Sequence, residues 1–193
     1  MARLDPLIFM AQPQPAIRAR MEAAVAANGL DERLGAAQFE PGNWHQSFSD
    51  RQDDQPKIRA AMLRAGARVA APSFVMTLNR INGTGVGPRG IHWAFRTLGK
   101  PKGLEVMLSA VRAALLAEGI DDDSGHGPQV TISYKAPTPL PSVVIEPIEW
   151  MVDELLLVRG GGQPYRYEEV GRWPLAANPP KLNPQLGLLE PPT

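Results

Sequence analysis

The chain contains no cysteine. That excludes disulfide staples, thiolate catalysis and cysteine-ligated zinc. It also lacks net charge, because 20 Lys and Arg balance 20 Asp and Glu. A neutral surface exerts no bulk pull on nucleic acid, so any RNA or nucleotide binding has to come from a local site. Long apolar runs are absent too. The first, Leu7-Ile8-Phe9-Met10-Ala11, is short and meets Pro13 and Pro15, unlike a secretory leader. No segment approaches the roughly 18 apolar residues of a membrane helix. A cytoplasmic protein with no membrane partner is the expectation.

What is present is ordinary globular material. The chain has 193 residues, 44% hydrophobic and 21% charged, enough for one domain with a true core that can be built from two lobes. Leu7 to Ala11 reads as a buried strand. Pro15 opens a helix carrying Ile17, Met21, Ala24 and Val25 and stopping at Asn28-Gly29. Asp53 and Asp54 are placed to cap a second helix, with Pro56 near its first position and Ile58, Met62 and Val69 along it. Ser73 to Ile81 and Ile91 to Arg96 alternate as strands around a glycine-rich loop. Leu104, Met107, Leu108, Val111 and Leu115 form a 3.6-period stripe ending at Gly119. Ile148 to Val158 and Tyr165 to Trp173 look like a closing hairpin joined by Gly160-Gly161-Gly162. Beyond Trp173 prolines dominate, and residues 176–193 form a tail that is either extended or disordered, or laid on the domain through Leu186, Leu188 and Leu189.

Two strings carry the chemistry: Trp44-His45-Gln46-Ser47-Phe48 and Pro128-Gln129-Val130-Thr131-Ile132-Ser133. In a strand, residues two apart share a face. His45 and Ser47 therefore face one way, with Trp44 and Phe48 toward the core. Gln46 breaks that pattern, since an apolar residue belongs there. On the second strand Gln129, Thr131 and Ser133 share a face against Val130, Ile132 and Tyr134. Two such strands can build a phosphate-handling cleft with internal twofold symmetry.

In these strings the chain resembles the two-histidine (2H) phosphoesterase superfamily, in its bacterial and archaeal 2′-5′ RNA ligase branch. That branch carries two repeats of His, an apolar residue, Thr or Ser, and another apolar residue. The strand Gly90-Ile91-His92-Trp93-Ala94-Phe95 and the closing run from Val152-Asp153-Glu154-Leu155 through Tyr167-Glu168 to Arg172-Trp173-Pro174-Leu175 add to the likeness, which covers about residues 4 to 175. The resemblance implies an α+β, two-lobed domain over residues 1–175, with antiparallel sheets flanking a central cleft and helices outside. It implies RNA ends or small nucleotides as partners, needing no metal and no cofactor. The chemistry would be hydrolysis of 2′,3′-cyclic phosphates, or ATP-independent joining of RNA ends through a 2′-5′ bond. One histidine would take a proton from the attacking oxygen and the other would give one to the leaving oxygen. Ser and Thr hydroxyls would hold the phosphate oxygens.

Carried onto this chain, His45 keeps the catalytic role, while Ser47, Thr131 and Gln129 become phosphate-binding. Gln129 stands where the second histidine belongs. An amide can hydrogen-bond phosphate but cannot shuttle a proton. Losing one acid/base group typically costs about 10²–10⁴ in rate. The expectation is a weakened enzyme of the 2′-5′ RNA ligase type, or a nucleotide-binding protein of the same fold without turnover. His92, His126, Arg89 and Ser133 are accessory candidates. Either histidine would assist only within about 3 Å of the reacting oxygen. Tyr134 belongs either to the site border or to the core.

Two further patterns carry less. Gly85-Val86-Gly87-Pro88-Arg89-Gly90 matches G-x-G-x-x-G, but it leads into a strand instead of opening a helix and holds a proline. Asp121 to Asp123 with His126 shows no closed ligand set and reads as a solvated acidic loop.

Overall fold

The computed structural model describes residues 5–83, 90–123 and 125–177. Its elements are β1 (Pro6–Ala11), α1 (Pro15–Ala27), α2 (Leu30–Leu34), β2 (Gln46–Ser47), β3 (Gln52–Asp53), α3 (Pro56–Arg68) and β4 (Phe74–Gly83). They continue as β5 (Ile91–Thr97), α4 (Lys102–Ala117), β6 (Gln129–Ala136), β7 (Leu140–Val152), β8 (Glu154–Gly161) and β9 (Arg166–Pro174). Short 3-10 turns at Gly35–Ala37 and Pro41–Asn43 lead into β2. The expected α+β architecture is observed. One sheet runs β2-β1-β8-β9, with β3 also paired to β1, and the other runs β6-β5-β4-β7. Every strand pairing is antiparallel. Among the described residues no helix is long and apolar enough to cross a membrane.

The three helices expected from the sequence follow their signals with one exception, and α2 was not foreseen. Pro15 opens α1, where its missing N–H costs nothing, and Met21 and Val25 are buried one turn apart. In α4 the buried stripe is Leu104, Met107, Val111, Ala114 and Leu115, and Gly119 follows with φ 74, a left-handed turn suited to glycine. The exception is the start of α3. Its cap is Gln55, with no side-chain hydrogen bond to the helix. Asp54 instead accepts Nε of Arg59 at 2.8 Å, and this pairing holds its carboxyl below the usual range. The ion pair with the helix's own arginine takes the carboxylate that a cap would have used.

The expected strand from Ile148 to Val158 is two strands in different sheets. β7 runs to Val152 alongside β4, and β8 starts at Glu154 alongside β9. Asp153 is the crossing point, its carbonyl accepting Leu175 N at 2.8 Å. Two consecutive polar residues, Asp153 and Glu154, break the alternation of Ile148, Trp150 and Val152 at the junction, ahead of the buried run Leu155 to Val158. β7 also starts earlier than expected, through Pro141 and Pro147. It lies at a sheet edge, where prolines leave no ladder bond unmade.

The two sheets share one core. Phe9, Trp44 and Phe48 from the first sheet belong to the same buried cluster as Trp93, Phe95 and Trp150 from the second. The rings of Trp44 and Phe95 meet with centroids 5.8 Å apart. α3 packs on β8 and β9, α4 on β4, and the two helices pack on each other. The opposite face of the first sheet holds a separate small cluster, Ile8, Met10, Leu156 and Val158, with Tyr167 against it. Ala176 pairs with Pro72, fastening the chain just after β9. Arg89, most of the G-x-G-x-x-G run and the tail from residue 178 lie outside the described residues.

A glycine sets the closeness of α4 to the second sheet. A Cβ on Gly103 would lie 2.2 Å from Cβ of Phe74, an atom fixed by the β4 backbone. Gly103→Ala is expected to push α4 off β4 and destabilise the fold by about 1–3 kcal/mol, despite alanine's better helix propensity. Gly42→Ala, whose Cβ would meet nothing within 4 Å, serves as control in denaturant unfolding.

Candidate functional site

The two motif strands come from different sheets and meet at the sheet junction. β2 pairs with β1 in the register Met10↔Ser47 and Ala11↔Gln46. β6 is the edge strand beside β5, with Arg96↔Gln129 and Ala94↔Thr131 opposed. A side chain joins the two. Oε1 of Gln46 accepts Gln129 N at 2.8 Å, and Nε2 donates to the Gly127 carbonyl at 3.1 Å and the Ser47 carbonyl at 2.8 Å. Gln46 is 1% exposed, between the equally buried Trp44 and Phe48. The polar residue that breaks the apolar alternation therefore sits on the core face and ties one motif to the other. The regular strand at the first motif is short, and His45 lies just before it.

His45 is held by one hydrogen bond and one ring contact. Its Nδ1 lies 2.8 Å from the Asn43 carbonyl. A carbonyl has no proton to give, so Nδ1 carries the hydrogen and donates. In a neutral ring Nε2 is then a bare acceptor, and no described residue bonds to it. Asn43 is itself buried and donates Nδ2 to the Tyr165 carbonyl at 2.8 Å. Tyr167 meets the imidazole edge-on at 5.1 Å. Burial pushes the His45 pKa down to about 4; the Asn43 hydrogen bond opposes this, while Arg51 and His126 lower it further. The ring is therefore neutral near pH 7, a base with an open nitrogen.

The remaining expected residues separate into open and committed groups. The hydroxyls of Ser47 and Thr131 have no partner among the described residues. Gln129 is gripped by Arg96, whose Nη1 donates to its Oε1 while Nε donates to Oδ1 of Asn82 at 3.2 Å. A guanidinium has donors only, so Gln129 turns its oxygen to Arg96 and leaves its NH₂ unpaired among the described residues. Ser133 is fully buried and its hydroxyl accepts Lys135 N at 3.2 Å. His126 donates Nε2 to the Ser49 carbonyl at 2.8 Å. Asp122 accepts Asp50 N at 2.7 Å, so the acidic loop is fastened to the chain after β2. His92 lies edge-on to Tyr134 at 5.1 Å, with Nε2 buried and unpartnered among the described residues.

Arg96 and a chain of rings went unread in the sequence. From His45 the series runs to Tyr167 (5.1 Å), Tyr165 (5.5 Å), Phe39 (6.3 Å), Tyr134 (5.6 Å) and His92 (5.1 Å). It contains all three tyrosines of the protein. Tyr134 packs edge-on against Phe39 and His92 within this series. The hydroxyls of Tyr165 and Tyr167 are buried beside each other, and burial pushes the Tyr167 pKa upward. The available signals were the i, i+2 spacing of Tyr165 and Tyr167, and the placing of Arg96 opposite the apolar face of its strand. A cavity of about 350 Å³ lined by Gln12, Gln14, Arg18, Glu154, Leu156 and Arg172 contains none of the motif residues.

No family model and no curated protein matches the chain. Solved structures do match. LigT of E. coli in its apo form aligns with a TM-score of 0.70 at 22% identity, over 91% of this chain and 99% of that one. A crystal structure described as a phosphoesterase gives 0.68 at 21% identity, over 90% and 99%. TT0787 of Thermus thermophilus gives 0.63 at 21% identity, over 89% and 98%. The protein has the fold of LigT and other 2H phosphoesterases.

Two measurements check this geometry. Gln46→Leu, close in volume, strands Gly127 O and Gln129 N, and is expected to cost about 2–4 kcal/mol in denaturant unfolding. For His45, the ordinary value of 6.5 falls to about 4 on folding. Between those values the unfolded chain holds a proton that the folded chain does not, so stability rises with pH across the window. Acidification from 6.5 to 4 should remove about 3 kcal/mol in the wild type, and His45→Gln should lack that component.

Proposed function

We propose that this protein binds RNA ends or small nucleotides bearing a 2′,3′-cyclic phosphate or a 2′-5′ phosphodiester, and turns them over slowly with one proton-transfer residue. The observation that carries this reading is His45: neutral, with Nδ1–H tied to Asn43 and Nε2 open. Ser47 and Thr131 offer free hydroxyls on the two strands that Gln46 ties together, and Gln129 adds an amide NH₂. These are donors for non-bridging phosphate oxygens. Structures of E. coli LigT complexed with ATP, with 3′-AMP and with phosphate support a nucleotide in this kind of fold.

In hydrolysis, His45 Nε2 would accept the proton of a water whose oxygen bonds to phosphorus. The ring P–O bond breaks, and the departing ribose oxygen takes a proton from solvent because Gln129 has none to give. In joining, a 5′-hydroxyl replaces the water and the product is a 2′-5′ diester. Gln129 also favours a second reading, in which the cleft recognises such ends without turnover.

The test is hydrolysis of nucleoside 2′,3′-cyclic phosphates at pH 6 to 8 with chelator present. Slow wild-type turnover is expected, with His45→Ala losing about 10²–10⁴ and Gln129→His gaining by a similar factor. No gain from Gln129→His counts against the proposed roles. Wild-type binding without hydrolysis selects the recognition reading.

A further inference from the structure

Resting on that reading of the cleft, we propose that Arg96 is its anion-binding residue and that it selects a terminal phosphomonoester. The ligand class is a nucleoside or RNA end carrying a 2′- or 3′-phosphate as a dianion, in preference to the monoanionic cyclic diester.

Six arginines are matched by carboxylates, and Arg96 is among those that are not. Arg59, Arg64, Arg68, Arg112, Arg159 and Arg172 all form ion pairs with carboxylates. Arg96 is half-buried and has none among the described residues. Its partners are two neutral amide oxygens, on Gln129 and Asn82. Burial alone lowers its pKa, with no acidic neighbour to raise it again. A guanidinium nonetheless stays charged in proteins. A cation drawn partly out of water without a counter-ion is costly, and an arriving anion relieves that cost.

The position is the second motif itself. Arg96 and Gln129 are opposed in register on β5 and β6, with Phe95 and Val130 buried on the other face. Where the 2H pattern would place a histidine able to give up a proton, this chain places an amide oriented by a permanent cation. His45, being neutral, adds no positive charge near pH 7. A fixed charge with no proton to give is unsuited to assisting a leaving group and suited to holding phosphate. It attracts a dianion more than a monoanion at equal distance, and a charge-assisted contact of this kind is worth roughly ten- to hundredfold in affinity. A phosphomonoester is dianionic at pH 8, its second pKa being about 6.

The experiment measures dissociation constants at pH 8 for adenosine 3′-monophosphate and adenosine 2′,3′-cyclic phosphate. It uses the His45→Ala background, in which the cyclic diester persists, and repeats the monoester in the wild type. The monoester should bind roughly tenfold tighter or more. Arg96→Met should abolish that preference by weakening the monoester, and Arg96→Lys, which keeps the charge, should retain most of it. Equal affinity for the two probes, or Arg96→Met weakening both alike or neither, overturns the role of Arg96 and leaves the proposed function standing. Absence of binding by both probes to folded wild type and folded His45→Ala overturns both. An Arg96→Met protein that fails to fold leaves the Arg96→Lys arm and the two-probe comparison to decide.

Discussion

The site depends on one buried amide. β2 and β6 belong to different sheets, and at the end of each its backbone groups would be left unpaired in a nonpolar junction. Gln46 satisfies them, accepting from Gln129 N and donating to Gly127 O. Burying such groups unpaired would cost more than the bonds return in net stability. The amide therefore sets the register between the motifs as much as it stabilises them. The fastenings of His126 to Ser49 O and Asp122 to Asp50 N extend the same seam along the loop before β6.

Because the sheets share a core, the two motif strands belong to one packed body. Trp44 and Phe95 meet in the shared core, and a series of ring contacts runs from His45 to His92. This aromatic surround depresses the His45 pKa by removing the ring from water. The tautomer is set separately, by Asn43, which is anchored in turn to Tyr165 on the approach to β9. A residue near position 45 and a turn near position 165 thus jointly prepare one nitrogen. On the second motif the balance is reversed: a neutral amide is paired with a buried cation. The two halves of a nominally symmetric site are electrostatically different, one a neutral base and the other a fixed positive charge.

Much of this was legible beforehand where the signal was local. The amphipathic stripe of α4 and the proline at the head of α1 each followed from side-chain period or φ restriction. The α3 cap was misread because Asp54 had a competing arginine one helical turn away. The strand at Ile148 was misread because the break in alternation at Asp153-Glu154 is only two residues long and reads as part of one strand. Arg96 was passed over because a single arginine at a strand end carries no sign of its neighbours.

The sequence by itself determined the periodic elements, the two hydroxyl-bearing motif strands, the missing second histidine and the absence of any thiol chemistry. These are properties of residues and their near neighbours. Only the tertiary structure decided that Gln46 is a clasp, that His45 is neutral with Nε2 open, and that Arg96 lies against Gln129. Each of those depends on pairing between strands dozens of residues apart, or on how much water a side chain loses. Neither register across sheets nor local dielectric is written in the order of residues along the chain.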